Sequence, residues 1–267
     1  MSLFFCLVQD SIVGKIVDKL AFNNISENTL ILFTGDNGPW MVKGISGGST
    51  GLLYGRSSGY WNVGKGSTWE GGIHEAGFAT WPGTIRSQTK SDEIVSSMDL
   101  LPTASALAGV SLPSHLTYDG RDMSKILLDK GKSQHETLFF YGGGGGCNWR
   151  GPSAMRYGEY KAHFSTGPGL SGCKNCEHIC YCKDPANNNC DILLFNIRED
   201  PSEAYPVNNK TDVVNAVVAA LQHEMATFTY GKLVAPPDGP GEGPGKYGVC
   251  CDREKGCDCS GPLLNKD

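Results

Sequence analysis

Apolar residues recur at helical spacing near the start of the chain and then form a nearly continuous run. Between residues 10 and 22 the spacing of six apolar side chains predicts an amphipathic helix: Ile12, Val13, Ile16, Val17, Leu20 and Ala21. Residues 28–34 form a short apolar run that ends at a Gly-Asp-Asn-Gly-Pro turn, which predicts a buried strand. A helix followed by a fully apolar strand is typical of an α/β layer with a largely parallel sheet.

Two more elements are predicted before residue 132. Residues 78–81 form a short strand that Pro82 and Gly83 stop, and an alanine-rich stretch over 99–108 forms a helix that ends at Gly109. A glycine-rich loop occupies residues 44–72 between the first two strands. We assign residues 1–132 to the C-terminal part of an α/β domain.

The pattern changes after residue 133. Short apolar segments separated by glycine-rich or cysteine-rich loops predict strands over 138–141, 153–157, 160–164 and 191–196. A helix follows over 211–230, because its apolar residues recur along one face. Residues 133–233 therefore form a predicted α+β subdomain with a small antiparallel sheet, and residues 234–267 form a tail rich in cysteine, glycine and proline.

Charge and hydropathy exclude two classes of partner. The 267-residue chain has a formal net charge of −5 and no cluster of basic residues, so we expect no nucleic-acid binding. No apolar run approaches the ~20 residues that span a bilayer. The apolar run over 3–8 lacks a basic segment and a cleavage site, so we expect a truncated or mis-started N-terminus in place of a signal peptide.

Cysteines concentrate in the second half of the chain, where ten of the 11 follow Gly146. Their irregular spacing among Gly, Pro and Asn favours disulfides in a secretory compartment, while the Cys-x-x-Cys at 173–176 with nearby His178 leaves a zinc site open. Glycosylation sequons at Asn24 and Asn209 agree with a lysosomal or extracellular destination.

Asp36 and Asn37 follow the first predicted strand directly. Open α/β sheets bind ligands at the carboxyl ends of their strands, and carboxylate and amide oxygens suit Ca²⁺ or Mg²⁺. The alternative is a plain turn, since Asp, Asn, Gly and Pro are all turn formers. Lys65 lies between two glycines, where its ammonium can reach an oxyanion in a cleft. A solvated loop lysine is the alternative there.

Several motifs, in this order, resemble the sulfatase family and most closely its arylsulfatase A branch. The first are Leu-Phe-Thr-Gly-Asp36-Asn37-Gly-Pro and Gly-Lys65-Gly-Ser-Thr-Trp-Glu-Gly-Gly. Later ones include Phe-Ala-Thr-Trp-Pro-Gly at 78–83, Tyr-Lys-Ala-His163-Phe and Leu-Phe-Asn-Ile-Arg-Glu-Asp-Pro at 194–201. The likeness covers roughly residues 10–230.

The resemblance implies an alkaline-phosphatase-like α/β sandwich, incomplete in this chain, with a smaller C-terminal antiparallel sheet. Family members hydrolyse sulfate esters with a formylglycine made from the cysteine of Cys-x-Pro-x-Arg, beside a Ca²⁺ held by three aspartates and an asparagine. By position, Asp36 and Asn37 match two metal ligands, and Lys65 matches a lysine on the sulfate. His163 matches a histidine near the substrate end of the pocket, with a strand histidine satisfied by its neighbours as the alternative.

The chain departs from the family pattern in ways that bear on activity. It contains no Cys-x-Pro-x-Arg, and the first-strand aspartates are absent. The family's arginine after Gly-Gly-x is His74 here. We therefore expect a sulfuric ester hydrolase by family that is inactive as this chain alone. The expected partner is a sulfated small molecule, lipid or glycan, and a homo-oligomer is left open. The alternatives are a secreted cysteine-rich binding module, a pseudoenzyme, or a phosphatase of the same superfold.

Overall fold

The computed structural model describes residues 2–55, 63–128, 131–142, 151–166, 179–180, 182–184 and 189–228. Residues Met1–Met225 form one compact unit, and Ala226–Asp267 form a second, of which only residues 226–228 are described. The helices are α1 Ser2–Phe22, α2 Glu70–Ile73, α3 Leu100–Leu107, α4 Ser124–Leu127 and α5 Thr211–Thr227. The strands are β1 Ile31–Thr34, β2 Gly77–Thr80, β3 Thr137–Phe140, β4 Ala154–Tyr157, β5 Tyr160–His163, β6 Ser165–Thr166, β7 Ile179–Cys180, β8 Cys182–Asp184, β9 Asn189–Cys190 and β10 Leu193–Asn196.

The helices predicted from apolar spacing are confirmed, with shifted ends. α1 begins at Ser2, earlier than the predicted residue 10, and α5 ends at Thr227 within the described residues. A capping box precedes α3: the Ser96 hydroxyl accepts from the Met98 N–H, and the Asp99 carboxylate accepts from the Ser96 N–H. These caps satisfy backbone donors that the helix cannot pair itself.

The direction of the first two strands differs from the expected parallel arrangement. β1 pairs with β2 in antiparallel register, and Phe33 stacks on Phe78 with 4.7 Å between ring centroids. Strand β1 is also less buried than predicted, because three of its residues are half-buried and Thr34 is exposed. A short apolar run is compatible with parallel or antiparallel pairing, so the sequence could not reveal the direction.

A four-stranded antiparallel sheet in the order β10-β5-β4-β3 confirms the predicted C-terminal sheet. Successive side chains of a strand point to opposite faces. One face buries Met155, Ala162 and Leu194 against Val217 and Leu221 of α5. The opposite face carries side chains with no exposed surface, among them Lys161, His163 and Phe195.

Two short ladders were missed in the cysteine-rich region. β6 pairs with β7, and β8 pairs with β9 with Cys182 and Cys190 as register partners. Two-residue strands carry too little pattern to be seen in the sequence. Apart from Cys6, Cys180, Cys182 and Cys190, the cysteines lie outside the described residues, as does the tail over 234–267. The choice between disulfides and zinc stays a prediction.

Helix α1 leaves much of its apolar surface uncovered, with Ile12 53% and Ile16 50% exposed. No helix among the described residues has the length and apolarity to cross a bilayer. Contiguous exposed apolar side chains promote association, so Ile12→Lys/Ile16→Lys should lower self-association of the chain. Sedimentation velocity measures this, and Ser11→Lys/Asp18→Asn is the control because it makes the net charge more positive by the same amount. Equal association in both variants would contradict the prediction.

Candidate functional site

The loop that follows β1 packs directly on α2. The Gly38 N–H donates to the Gly72 carbonyl at 3.0 Å, and Gly38 is buried. A Cβ at Gly38 would overlap the Gly71 carbonyl oxygen, so the close approach requires glycine there. Asp36 is exposed and Asn37 is half-buried beside this contact. The Asp-Asn-Gly segment is therefore held at a fixed place against α2.

Lys65 lies on a second loop that is tied to the first. Its backbone N–H donates to the Pro39 carbonyl at 2.9 Å, and the Ser67 N–H donates to the Gly64 carbonyl at 3.1 Å. The Lys65 side chain is exposed to solvent. The structure thus brings the loop of Asp36 and Asn37 into contact with the loop of Lys65, although the two loops are distant in the sequence.

His163 has no exposed surface and is bonded on both ring nitrogens. Its Nε2 lies 2.7 Å from Glu203 Oε1, and its Nδ1 lies 3.5 Å from the Thr68 hydroxyl. The ring packs on Trp69, with 4.4 Å between centroids. The structure therefore buries His163 against Thr68 and Trp69, which closely follow Lys65 in the chain.

Lys161 and His163, which share one face of the sheet, form a buried charged cluster with two glutamates. Lys161 Nζ donates to Glu70 Oε1 at 2.7 Å and lies 3.2 Å from Glu203 Oε1. The Glu70 N–H donates to Glu203 Oε2 at 2.6 Å. We call Glu70, Lys161, His163 and Glu203 the buried network. The network joins the first turn of α2, which carries Glu70, to β5. Lys161 and His163 occupy alternate positions of β5, so both side chains point to the same face.

The sequence analysis gave no role to Glu70, Lys161 or Glu203. One signal was available: Lys161 and His163 occupy alternate positions in a predicted strand, and buried charged side chains are rare unless they are paired. The partners lie 91 and 40 positions away along the chain, so no local pattern identifies them.

Opposing effects set the pKa values of the carboxylates in the buried network. Burial alone would raise the pKa of Glu70, but the charges and hydrogen bonds of Lys161 and His74 outweigh it and hold the pKa well below its usual value. Burial likewise opposes ionisation of Glu203, and Lys161 and His163 together lower its pKa. Both glutamates are therefore charged at neutral pH.

The pKa values of His74 and His163 shift in opposite directions. Burial lowers the pKa of His163, more strongly than the Glu203 charge raises it. The hydrogen bond from His74 Nδ1 to Glu70 Oε2, 2.9 Å long, raises the pKa of His74. A neutral His163 with its proton on Nε2 donates to Glu203 and accepts from the Thr68 hydroxyl at Nδ1, which satisfies both nitrogens.

These shifts predict that the free energy of unfolding falls as pH drops from about 7 to about 5. In the unfolded chain His163 takes up a proton near pH ~6.5, whereas burial in the folded chain lowers its pKa, so the folded chain binds this proton less readily. His74 opposes the trend, because its raised pKa favours the folded state below about pH 6.5. His74→Gln should therefore steepen the fall.

Urea unfolding at pH 5, 6 and 7 measures this pH dependence. His115→Gln is the matched control, since His115 is exposed and lies far along the chain from the buried network. A His74→Gln variant with the same slope as the unaltered chain would contradict the assignment.

Ca²⁺ is the metal that the family resemblance implies, and the donors present suit it in kind. Asp36 and Asn37 offer hard oxygens, but Ca²⁺ takes about six to eight oxygen ligands. Within the described residues no group of three or more His, Cys, Asp or Glu side chains is arranged to hold a metal. Burial, and next the Asp36 charge, raises the pKa of the nearby Glu75. The residues fit part of a Ca²⁺ site and leave the remaining ligands to be supplied from elsewhere.

Comparison with known proteins gives consistent matches over both halves of the chain. The sulfatase family profile matches residues 7–110, and the profile for the C-terminal region of aryl-sulfatase matches residues 133–259. Arylsulfatase A from Bos taurus is 37% identical over 260 residues, covering 94% of this chain and 49% of that protein. Steryl-sulfatase from Rattus norvegicus is 35% identical over 237 residues, covering 82% of this chain and 39% of that protein. The chain spans half or less of the length of these relatives.

A solved structure supports the same conclusion about the fold. The PsFucS1 sulfatase from Pseudoalteromonas sp. superposes with a TM-score of 0.60 at 27% identity, covering 80% of this chain and 41% of that one. This similarity confirms the predicted fold class, an incomplete alkaline-phosphatase-like α/β arrangement with a small antiparallel sheet.

Proposed function

Because this chain belongs to the sulfatase family, we propose that it supplies one side of a catalytic site that hydrolyses sulfate esters. One observation carries this proposal: the Lys65 N–H bonds the Pro39 carbonyl and so fixes the Lys65 loop beside Asp36 and Asn37. The loop that carries a cation and the loop that carries hard-oxygen donors are thereby adjacent. Charge builds up on sulfuryl oxygens during ester cleavage, and such groups stabilise it.

Each of the three exposed or half-buried residues has a distinct role in this proposal. The Lys65 ammonium contacts a sulfate oxygen as a point charge. Asp36 and Asn37 hold part of a Ca²⁺ site, and bound Ca²⁺ would supply electrostatic stabilisation of the sulfate oxygens. Asp36 can also accept a hydrogen bond from a hydrated formylglycine and help to activate it. His163 supports the Lys65 loop from behind, in keeping with its burial.

We propose that the 267-residue chain alone does not turn over substrate. It contains no Cys-x-Pro-x-Arg, so a nucleophile must come from another segment. Two of four expected Ca²⁺ ligands also bind the ion weakly. The same lack of nucleophile favours a second candidate, a pseudoenzyme that binds sulfated lipids or glycans without cleaving them.

We further propose a division of the chain into three parts and a compartment in which it acts. Residues 1–132 belong to the catalytic α/β domain, 133–233 form the antiparallel-sheet subdomain, and 234–267 form the tail. Asn24 and Asn209 are exposed, which suits glycosylation in the secretory pathway. We propose a lysosomal or extracellular site of action on a sulfated small molecule, lipid or glycan.

Hydrolysis of a chromogenic aryl sulfate in the presence of Ca²⁺ tests the function. The 267-residue chain is compared with an extended protein that carries, upstream, the first half of a sulfatase domain with its Cys-x-Pro-x-Arg. We expect activity in the extended protein alone, lost on Asp36→Ala and kept on Asp92→Ala, because the Asp92 side chain is 86% exposed. An inactive extended protein that still binds the aryl sulfate supports the pseudoenzyme, and activity of the short chain overturns the assignment of an external nucleophile.

A further inference from the structure

Glu203 is the centre of the buried network, and its side chain contacts two other segments, α2 through Glu70 and β5 through Lys161 and His163. Its Oε2 accepts from the Glu70 N–H at 2.6 Å. Its Oε1 accepts from His163 at 2.7 Å and lies 3.2 Å from the Lys161 ammonium. The residue has no exposed surface, so no substrate reaches it in this state. A carboxylate with these partners holds three backbone segments in a fixed relation.

We propose that Glu203 is a positioning residue that sets the place of the Lys65 ammonium from behind the site. The proposal rests on the function given above. Because Glu203 is buried, it acts through the Lys65 loop and does not touch the substrate itself.

Glu203 is linked to Lys65 through a single short segment, residues 65–70, whose last residue bonds Glu203. Residues 68, 69 and 70 are consecutive, and each contacts Glu203 or His163: the Thr68 hydroxyl, the Trp69 ring and the Glu70 N–H. Lys65 precedes Thr68 by three positions, and the Ser67 N–H bond to the Gly64 carbonyl makes a tight turn between them. A shift of this segment therefore moves the Lys65 backbone.

Charge explains why a carboxylate is required at residue 203. A carboxylate accepts from several donors at once, whereas an amide offers a single oxygen. Glu203→Gln keeps the size of the side chain, but its NH2 group replaces one oxygen and leaves either the Glu70 N–H or both His163 and Lys161 without their acceptor. The Lys65 loop would then lose one of its fixed supports, and the ammonium would move relative to the sulfate.

A double-mutant cycle on the extended protein tests this proposal, with kcat/KM for a chromogenic aryl sulfate and Ca²⁺ present. We expect Glu203→Gln to lower kcat/KM by about 10–10²-fold, the effect of a misplaced catalytic group. In the Lys65→Ala background the same change should alter kcat/KM by less than about twofold, because its effect passes through Lys65. Circular dichroism confirms that each variant is folded, and Glu199→Gln is the control on an exposed glutamate.

The outcomes separate this proposal from the proposed function. If the unaltered extended protein is inactive, the proposed function fails. If it is active and Lys65-dependent, but Glu203→Gln lowers kcat/KM equally in both backgrounds, Glu203 is merely structural and the positioning proposal is overturned. Should Glu203→Gln fail to fold, Glu203→Asp keeps the charge with a shorter reach and enters the same cycle with the same expectations.

Discussion

Replacing Lys65 by alanine in the extended protein lowers kcat/KM for an aryl sulfate by about 10²–10³-fold, the usual loss when one preorganised electrostatic group is removed. Lys65 is exposed on its loop, while its backbone is held by the Pro39 carbonyl. The substitution therefore deletes the ammonium and leaves the loop in place. Steady-state kinetics at fixed Ca²⁺ measure the loss.

Two comparisons make the Lys65 result specific. Lys90→Ala removes a lysine whose side chain is 84% exposed, and it should leave kcat/KM unchanged. Thermal unfolding of Lys65→Ala should match the unaltered protein, because an exposed loop lysine contributes little to stability. If Lys65→Ala keeps more than about a third of the activity, the assignment of Lys65 to the proposed site is wrong.

Replacing Lys161 by methionine lowers the free energy of unfolding by about 3–5 kcal/mol, the range found when one partner of a buried ion pair is removed. Lys161 has no exposed surface, and its ammonium lies 2.7 Å from Glu70 and 3.2 Å from Glu203. Methionine has a similar shape but no charge, so two buried carboxylates would lose their cation. Urea unfolding at pH 7 measures the change.

Lys210→Met is the matched control for this stability prediction, since Lys210 is exposed, and its effect should stay within about 0.5 kcal/mol. Adding Glu203→Gln to Lys161→Met should cost less than the sum of the two single changes, because it removes one of the unpaired charges. Strict additivity would mean that the two residues do not interact in the folded chain.

Local sequence patterns determined most of the secondary structure and the choice of candidate residues. Apolar spacing predicted α1 and α5, and an alanine-rich stretch predicted α3. Short apolar segments between glycine-rich or cysteine-rich loops predicted the four strands of the C-terminal sheet. The order of motifs around Asp36, Asn37, Lys65 and His163 indicated the sulfatase family, which the comparisons establish. Motifs of this kind consist of residues close together in the sequence, so they can be recognised without knowledge of the fold.

Only the tertiary structure decided how distant segments meet. The antiparallel pairing of β1 with β2 depends on the path of residues 35–76, and a short apolar run is compatible with pairing in both directions. The bond from the Glu70 N–H to Glu203 joins residues 133 positions apart. In the sequence Glu203 looks like any other acidic residue. Its burial and its partners arise only when distant segments of the folded chain meet, and no local spacing of residues encodes that.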